Sequence, residues 1–146
     1  MKPITLNVQQ DVLMIKAESL NLRLDLKPLY YHLKQPSASF FEIETLIYEI
    51  EEFLETHMTE LKHVHANTLL NQSAEGLNLF KTVMDVDNLK QLTREQVEQA
   101  FNNVAMSIEH PHDQFVPLLR HHLSVVLLVF IREIMHHLGL DQLVFD

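Results

Sequence analysis

The N-terminal part of the chain alternates apolar and polar positions with the two-residue period of a β-strand. Ile4, Leu6 and Val8 are separated by polar residues, and residues 20–26 carry leucine at every second position. A short apolar run at 12–16 lies between these segments. Because alternate side chains of a strand point to opposite faces, each alternating segment predicts a strand with one buried face. We therefore expect these three segments to form a small antiparallel meander with leucine side chains on one face.

From residue 39 onwards the apolar positions recur every three or four residues, as they do in amphipathic helices. Ser39 and Glu42 match a capping box, in which each side chain accepts a hydrogen bond from the backbone N–H of the other residue. Thr93 and Gln96 match a second one. The first box predicts a long helix over residues 40–62. The apolar stripe of this helix consists of Ile43, Ile47, Ile50, Leu54, Met58 and Leu61.

The remaining helices are predicted from capping and terminating residues. Ser73 is suited to cap a shorter helix that follows it. The second capping box opens a helix that ends before Pro111, because proline disfavours the helical conformation of the residue preceding it. Asp113 is suited to cap a last long helix, which ends at Gly139 in a glycine C-cap. Residues 142–145 are expected to form a short strand or a loop.

Together these patterns predict an α+β fold in a single domain over residues 1–146. Residues 1–27 would be the β-rich N-terminal part, and residues 39–139 would be mainly helical. The small antiparallel β-meander would pack on a bundle of about three to five helices, two of them long, because an isolated meander of this size is only marginally stable. A helix over residues 11–20 is an alternative, since its apolar residues also fit a helical spacing.

The last predicted helix is apolar on two sides. One stripe would face the core and contains Val116, Leu119, Leu123, Leu127, Phe130, Ile134 and Leu138. Further leucines and valines lie opposite, so the middle of the helix needs cover on both sides. The leucine face of the sheet or a second copy of the chain could supply this cover, whereas the apolar stretch is too short to cross a membrane. We predict a dimer interface formed by Leu118, His121, His122, Val125, Leu128, Val129, Arg132 and His136.

Histidines near both ends of this helix raise the question of a metal site. The Glu133/His136 pair and the Glu60/His63 pair repeat the Glu-x-x-His spacing of di-iron carboxylate bundles, but His63 points away from the apolar stripe of its helix. Imidazole and carboxylate groups bind divalent transition metals, although histidines at a helix C-terminus also interact favourably with the helix dipole. The cofactor is therefore either a divalent transition metal or absent. The candidate ligands are His110, His112, Glu133, His136 and His137.

Composition and charge exclude several classes of protein. The chain has no cysteine, which excludes disulfides and thiolate metal sites. Its 20 acidic and 11 basic residues give a net charge of −9, and a nucleic-acid partner would require a basic surface. The predicted helix 40–62 has an acidic face that is suited to a basic protein partner. Because the N-terminus lacks the pattern of a signal peptide, we expect a cytoplasmic protein.

Catalytic motifs are missing from the sequence. With only two glycines the chain has no glycine-rich phosphate loop, and it contains neither a Gly-x-Ser-x-Gly nor a His-Glu-x-x-His motif. We therefore expect a non-enzymatic, self-associating interaction module of the adaptor, chaperone or immunity type. A His/Glu metal-binding protein or metal-dependent enzyme is one alternative. A small-molecule-binding domain is another, with a pocket lined by Tyr30, Tyr31, Phe40, Phe41 and Phe130.

Overall fold

The computed structural model describes residues 2–146. Over this range the chain forms one mixed six-stranded sheet and seven α-helices. The strands are β1 (Ile4–Gln9), β2 (Val12–Ala17), β3 (Leu20–Asp25), β4 (Thr68–Asn71), β5 (Gln91–Thr93) and β6 (Gln142–Phe145). The helices are α1 (Lys27–Tyr30), α2 (Phe40–Thr56), α3 (Met58–Lys62), α4 (Ala74–Met84), α5 (Arg94–Met106), α6 (Val116–Leu119) and α7 (His122–Leu138), with a 3-10 helix (Ser107–Glu109) after α5.

The sheet has the strand order β3-β2-β1-β4-β6-β5. The first three strands form an antiparallel meander, in which Leu6 lies opposite Ile15. At the other side of β1 the sheet continues through β4 and β6, which run parallel to β1. Strand β5 closes this edge antiparallel to β6. The centre of the sheet therefore consists of the parallel strands β1, β4 and β6.

The predicted architecture, a small antiparallel meander packed on a helix bundle, is wrong. The meander exists, but it is only half of a mixed sheet whose other half contains β4, β6 and β5. These strands have four, four and three residues, which is too short for a two-residue alternation to stand out in a sequence. Their pairing also joins distant residues, such as Thr5 with Leu70. Parallel pairing depends on helical crossovers that no local pattern reveals.

Both long helices of the prediction are divided in the structure, although both capping boxes are confirmed. Helix α2 ends at Thr56, because the backbone of His57 (φ −104°, ψ 13°) leaves the helical conformation before α3 begins. The last helix does not begin at Asp113, whose side chain instead accepts from the Phe115 N–H in a local turn. The short helix α6 comes first, and the extended residue His121 then caps α7 by accepting from the Ser124 N–H.

Helix α7 lies at the centre of the hydrophobic core. Phe130, Ile131 and Ile134 are completely buried, and the helix packs against α1, α2, α4, α5 and α6. The chain itself therefore supplies the cover that this two-sided apolar helix requires. None of the helices between residues 2 and 146 has the length and continuous hydrophobicity needed to span a bilayer.

Candidate functional site between helices α2, α5 and α7

A cleft of about 770 Å³ opens between α2, α5 and α7. Helix α2 contributes one wall, α5 the second and the last two turns of α7 the floor. All eight of its polar side chains are charged or titratable. The lining consists of Ile47, Glu51, Arg94, Glu95, Val97, Glu98, Arg132, Glu133, His136 and His137.

Three potential metal ligands meet in this cleft. The Nε2 atom of His137 lies 3.8 Å from Oε2 of Glu51 and 3.9 Å from Oε1 of Glu133. One ligand atom from each of the three side chains lies within 4.8 Å of the other two. Glu133 and His137 share one face of α7 because residues four apart are neighbours on a helix. Glu51 reaches them from α2 because α2 packs against α7.

A bidentate ion pair forms the opposite side of the cleft. Arg132 donates from Nε to Oε2 of Glu98 over 2.7 Å and from Nη2 to Oε1 of the same carboxylate over 3.0 Å. The third donor, Nη1, reaches Oε2 of Glu133 at 3.1 Å. The guanidinium also lies over the ring of Phe101, 4.1 Å from its centroid, in a cation–π arrangement. Arg132 therefore joins α5 to α7 and fixes the orientation of the Glu133 carboxylate.

The two carboxylates bound by Arg132 differ in their protonation behaviour. The hydrogen bonds from Arg132 hold the pKa of Glu98 below its ordinary value, and they outweigh the opposing effect of its burial. Burial raises the pKa of Glu133, and the nearby Glu51 carboxylate adds to the increase. Glu133 is only 5% exposed, so the removal of water from its charged form dominates. The cleft therefore combines a firmly ionised carboxylate with one that accepts protons more readily than usual.

The charge in the cleft is unbalanced. Four carboxylates face two guanidinium groups, and Glu98 already engages Arg132. Arg94, at the start of α5, is exposed and makes no ion pair within the described part of the chain. Its free donors are suited to an anionic group, because a planar guanidinium binds carboxylate or phosphate oxygens in pairs. The trio of Glu51, Glu133 and His137 is suited instead to a cation.

The predicted metal ligands do not form one group. Glu133 and His137 come together in the trio, and His136 lies exposed on the cleft rim with its ring perpendicular to that of His137. His110 and His112 are exposed in the loop that follows the 3-10 helix, away from this cleft. Sequence reasoning missed Glu51 as their partner. The sequence places Glu51 on the acidic face of its helix. Which of the acidic residues on that face contacts α7, however, depends on how the two helices pack.

The predicted interface is also divided by the fold. Its apolar centre, Val125, Leu128 and Val129, is at most 4% exposed within the chain itself. His121, His122 and His136 are exposed, and Leu118 and Arg132 are half-buried. These side chains therefore do not form a continuous apolar patch at the surface. A homodimer stays a prediction of the sequence.

Two further predicted surfaces differ from expectation. Glu42 does not belong to the exposed acidic face of helix 40–62, because it is buried. Its carboxylate accepts hydrogen bonds from the backbone N–H groups of Lys34, Gln35 and Ser39. The aromatic residues of the predicted small-molecule pocket lie apart, because Phe130 is buried in the core, Tyr30 is half-buried, and the other three are exposed at the surface. Those three are Tyr31, Phe40 and Phe41.

The carboxyl edge of the parallel strands is the other place to look for a ligand site, because open α/β sheets commonly bind ligands there. In this chain the polar groups at that edge bind one another. Asn71 donates from Nδ2 to the Ser73 carbonyl over 2.9 Å, and Ser73 Oγ donates back to Asn71 Oδ1 over 2.7 Å. The Gly76 N–H donates to Ser73 Oγ, and a Cβ at Gly76 would lie 2.6 Å from Asn71 Oδ1. These groups are satisfied internally and closely packed.

The electrostatic environment of this edge is negative, as is that of the cleft, where four carboxylates face two guanidinium groups. Burial raises the pKa of Tyr30 to about 12, and the carboxylates of Asp11 and Glu75 contribute to the increase. Both carboxylates act on the same hydroxyl from the β1–β2 turn and from the first turn of α4. The edge is therefore electronegative, and its turn at Gln10 and Asp11 contains no glycine. The cleft between α2, α5 and α7 is the better candidate site.

Comparison with known proteins identifies a shared fold. No protein-family model matches the chain, and no curated protein matches it. A crystal structure of an Aquifex aeolicus member of the Ppx/GppA protein family is similar with a TM-score of 0.69 and 13% identity, and the match covers 98% of this chain and 51% of that one. The type II variant of the Aquifex aeolicus Ppx/GppA phosphatase gives a TM-score of 0.67 at 12% identity, covering 98% and 52%.

These similarities define the class of fold. This chain spans about half the length of either structure, and at such low identity the likeness shows the fold alone. The expectation of a non-enzymatic interaction module is wrong, because the fold is shared with a structure named as a phosphatase, whereas self-association stays a prediction. The apolar helix that motivated it is covered within the chain. The absence of local catalytic motifs does not exclude an enzyme, because an active site can be assembled from residues distant in sequence.

Proposed function

We propose that the chain is a hydrolase domain that acts on a small phosphate-containing substrate bound between α2, α5 and α7. The observation that carries this proposal is the convergence of Glu51, Glu133 and His137 in a cleft that also contains the free guanidinium of Arg94. The likeness to Ppx/GppA structures, one of them named a phosphatase, supports a hydrolytic reaction on a phosphate group.

Arg94 and the trio of Glu51, Glu133 and His137 have separate roles in the proposed reaction. Arg94 binds the substrate phosphate oxygens and offsets their charge as the reaction proceeds. The carboxylates and the imidazole orient the attacking water and receive its proton, for which the raised pKa of Glu133 is favourable. The water oxygen forms a bond to phosphorus as the bond to the leaving oxygen breaks. The leaving group then takes a proton from solvent.

A phosphate-release assay tests the proposal. Tag-free protein is assayed with p-nitrophenyl phosphate, ATP and inorganic pyrophosphate, each with and without added divalent ions. We expect turnover of at least one substrate and a loss of kcat of about 100-fold or more in Glu133→Gln. In Arg94→Ala we expect chiefly a higher KM, because Arg94 binds substrate.

Matched controls separate the site from general damage. Glu55→Gln removes an exposed carboxylate one turn beyond Glu51 on the same helix and should leave turnover unchanged. Circular dichroism melting shows whether each variant is folded. Full activity in a folded Glu133→Gln protein, or no turnover of any substrate under all ion conditions, would contradict the proposed function.

A further inference from the structure

The trio of Glu51, Glu133 and His137 has the composition of a metal site. Its three ligand atoms come from two helices that pack directly against each other, and none lies more than 4.8 Å from the others. His137 Nε2 is nearly equidistant from the two carboxylate oxygens, at 3.8 and 3.9 Å. Binding would require the side chains to bring these atoms to zinc bond lengths of about 2.0–2.2 Å. Glu51 and His137 are only partly buried, so their side chains have room to adjust.

A second observation concerns the buried member of the trio. The side chain of Glu133 is 7% exposed, and its Oε2 accepts from Arg132. Its Oε1 accepts no hydrogen bond from any of residues 2–146, and it lies 3.9 Å from Nε2 of His137. Because no buried side-chain oxygen or nitrogen of residues 2–146 lacks a hydrogen-bond partner, this Oε1 atom is open to the cleft. A cation bound between the three side chains would contact it directly.

The groups around the trio resemble the support that metal ligands usually have. Arg132 donates to Oε2 of Glu133, and Glu98 accepts two hydrogen bonds from Arg132. Hydrogen bonds of this kind fix the orientation of a ligating carboxylate. They leave the other oxygen, Oε1, 3.9 Å from Nε2 of His137. The carboxylate is therefore held in an orientation suited to coordination.

We propose that Glu51, Glu133 and His137 bind one divalent first-row transition-metal ion. One imidazole with two carboxylates favours zinc, cobalt or manganese over magnesium, which prefers oxygen ligands and water. Three protein ligands leave coordination positions that face the cleft, as in catalytic zinc sites. The use of the ion in catalysis rests on the proposed function: with an ion bound, the three side chains would act as its ligands rather than as proton acceptors, and the ion would activate the water. Metal binding itself does not depend on that function.

Direct metal titration tests this inference. Tag-free protein, prepared without metal columns and freed of metal with a chelator, is titrated with Zn²⁺ by calorimetry and with Co²⁺ by absorption. We expect one high-affinity ion per chain and a cobalt spectrum typical of nitrogen and oxygen ligands. The affinity should fall at least about tenfold in Glu51→Gln and in His137→Asn.

The exposed histidines provide the necessary control. The double variant His110→Ala/His112→Ala removes two surface imidazoles outside the cleft and should keep the high-affinity ion. Loss of the ion in this double variant, unchanged affinity in folded Glu51→Gln and His137→Asn, or no stoichiometric binding would overturn the inference. If the metal binds as expected but no phosphate is released, the proposed function fails and the metal site stands.

Discussion

Arg132 and Glu98 are joined by two parallel hydrogen bonds of 2.7 and 3.0 Å between guanidinium and carboxylate. The pair links α7 to α5, and the remaining donor of Arg132 reaches Glu133. It therefore connects the packing of two helices with the orientation of a group in the candidate site. Neither residue is fully buried, so the pair is partly screened by water.

Replacement of Glu98 tests how much this pair stabilises the fold. Glu98→Ala removes two charge-assisted hydrogen bonds and leaves Arg132 half-buried beside Glu133. We expect the free energy of unfolding to fall by about 1–2 kcal/mol, measured by urea denaturation. Glu95→Ala, an exposed position on the same helix, should change it by less than about 0.5 kcal/mol. Equal effects of the two substitutions would show that the ion pair contributes nothing specific.

Tyr30 gives a prediction for pH dependence. Burial, with the carboxylates of Asp11 and Glu75, raises its pKa from 10.0 to about 12. The folded protein therefore keeps the phenolic proton more tightly than the unfolded chain, so the contribution of Tyr30 to stability is lost as pH rises from about 10 to 12. In an absorbance titration, the difference between the wild type and Tyr30→Phe should show a step near pH 12, and Asp11→Asn should lower that midpoint. A difference step near pH 10 would contradict the buried environment of Tyr30.

A pair of phenylalanine substitutions tests the burial of α7. Phe130 is completely buried and lies near Phe53, with 6.4 Å between the ring centroids, whereas Phe41 is 77% exposed. Phe130→Ala should lower the free energy of unfolding by about 3–5 kcal/mol, because it removes a large side chain and leaves a cavity. The same substitution at Phe41 should cost less than about 0.5 kcal/mol. Similar losses at both positions would mean that α7 is not enclosed in this way.

Gly76 is expected to tolerate no side chain. A Cβ there would lie 2.6 Å from Asn71 Oδ1 and 2.7 Å from Ser73 Oγ, so Gly76→Ala must displace a buried hydrogen-bonded group. We expect a loss of about 2–3 kcal/mol in the free energy of unfolding. Glu75→Ala, at the exposed neighbouring position of the same helix turn, serves as the control. A Gly76→Ala protein as stable as this control would show that the Asn71–Ser73 contact is loose.

The sequence predicted local elements better than their assembly. The leucine alternation of β3 and the two capping boxes are strong local signals, and the structure confirms all of them. Strands β4 and β6 lack such a signal because each has four residues, and their parallel pairing is fixed only when the helices between them fold. The break at His121 was missed because a histidine side chain caps α7 there, a role usually taken by serine, threonine, aspartate or asparagine.

The candidate site was predicted only in part, for a related reason. Glu133 and His137 are four residues apart on one helix, so their proximity follows from helical geometry. Glu51 and Arg94 come from other helices, and their approach depends on the angles at which α2 and α5 pack on α7. His136 was included for its Glu-x-x-His spacing from Glu133, and His110 and His112 because they lie near the other end of the predicted helix. Burial and helix packing, which a single sequence does not give, decide which of these histidines meets carboxylates.

The location of the anion site is the central claim, and NMR mapping with inorganic phosphate tests it most directly. Titration of isotope-labelled protein reports on backbone amides and on arginine Nε groups throughout the chain. We predict that the largest shifts occur at Arg94, Arg132 and His137, and that Arg94→Ala reduces them. Shifts centred instead on Ser73 and Gly76, at the carboxyl edge of the sheet, would contradict the claim that this protein binds its substrate between α2, α5 and α7.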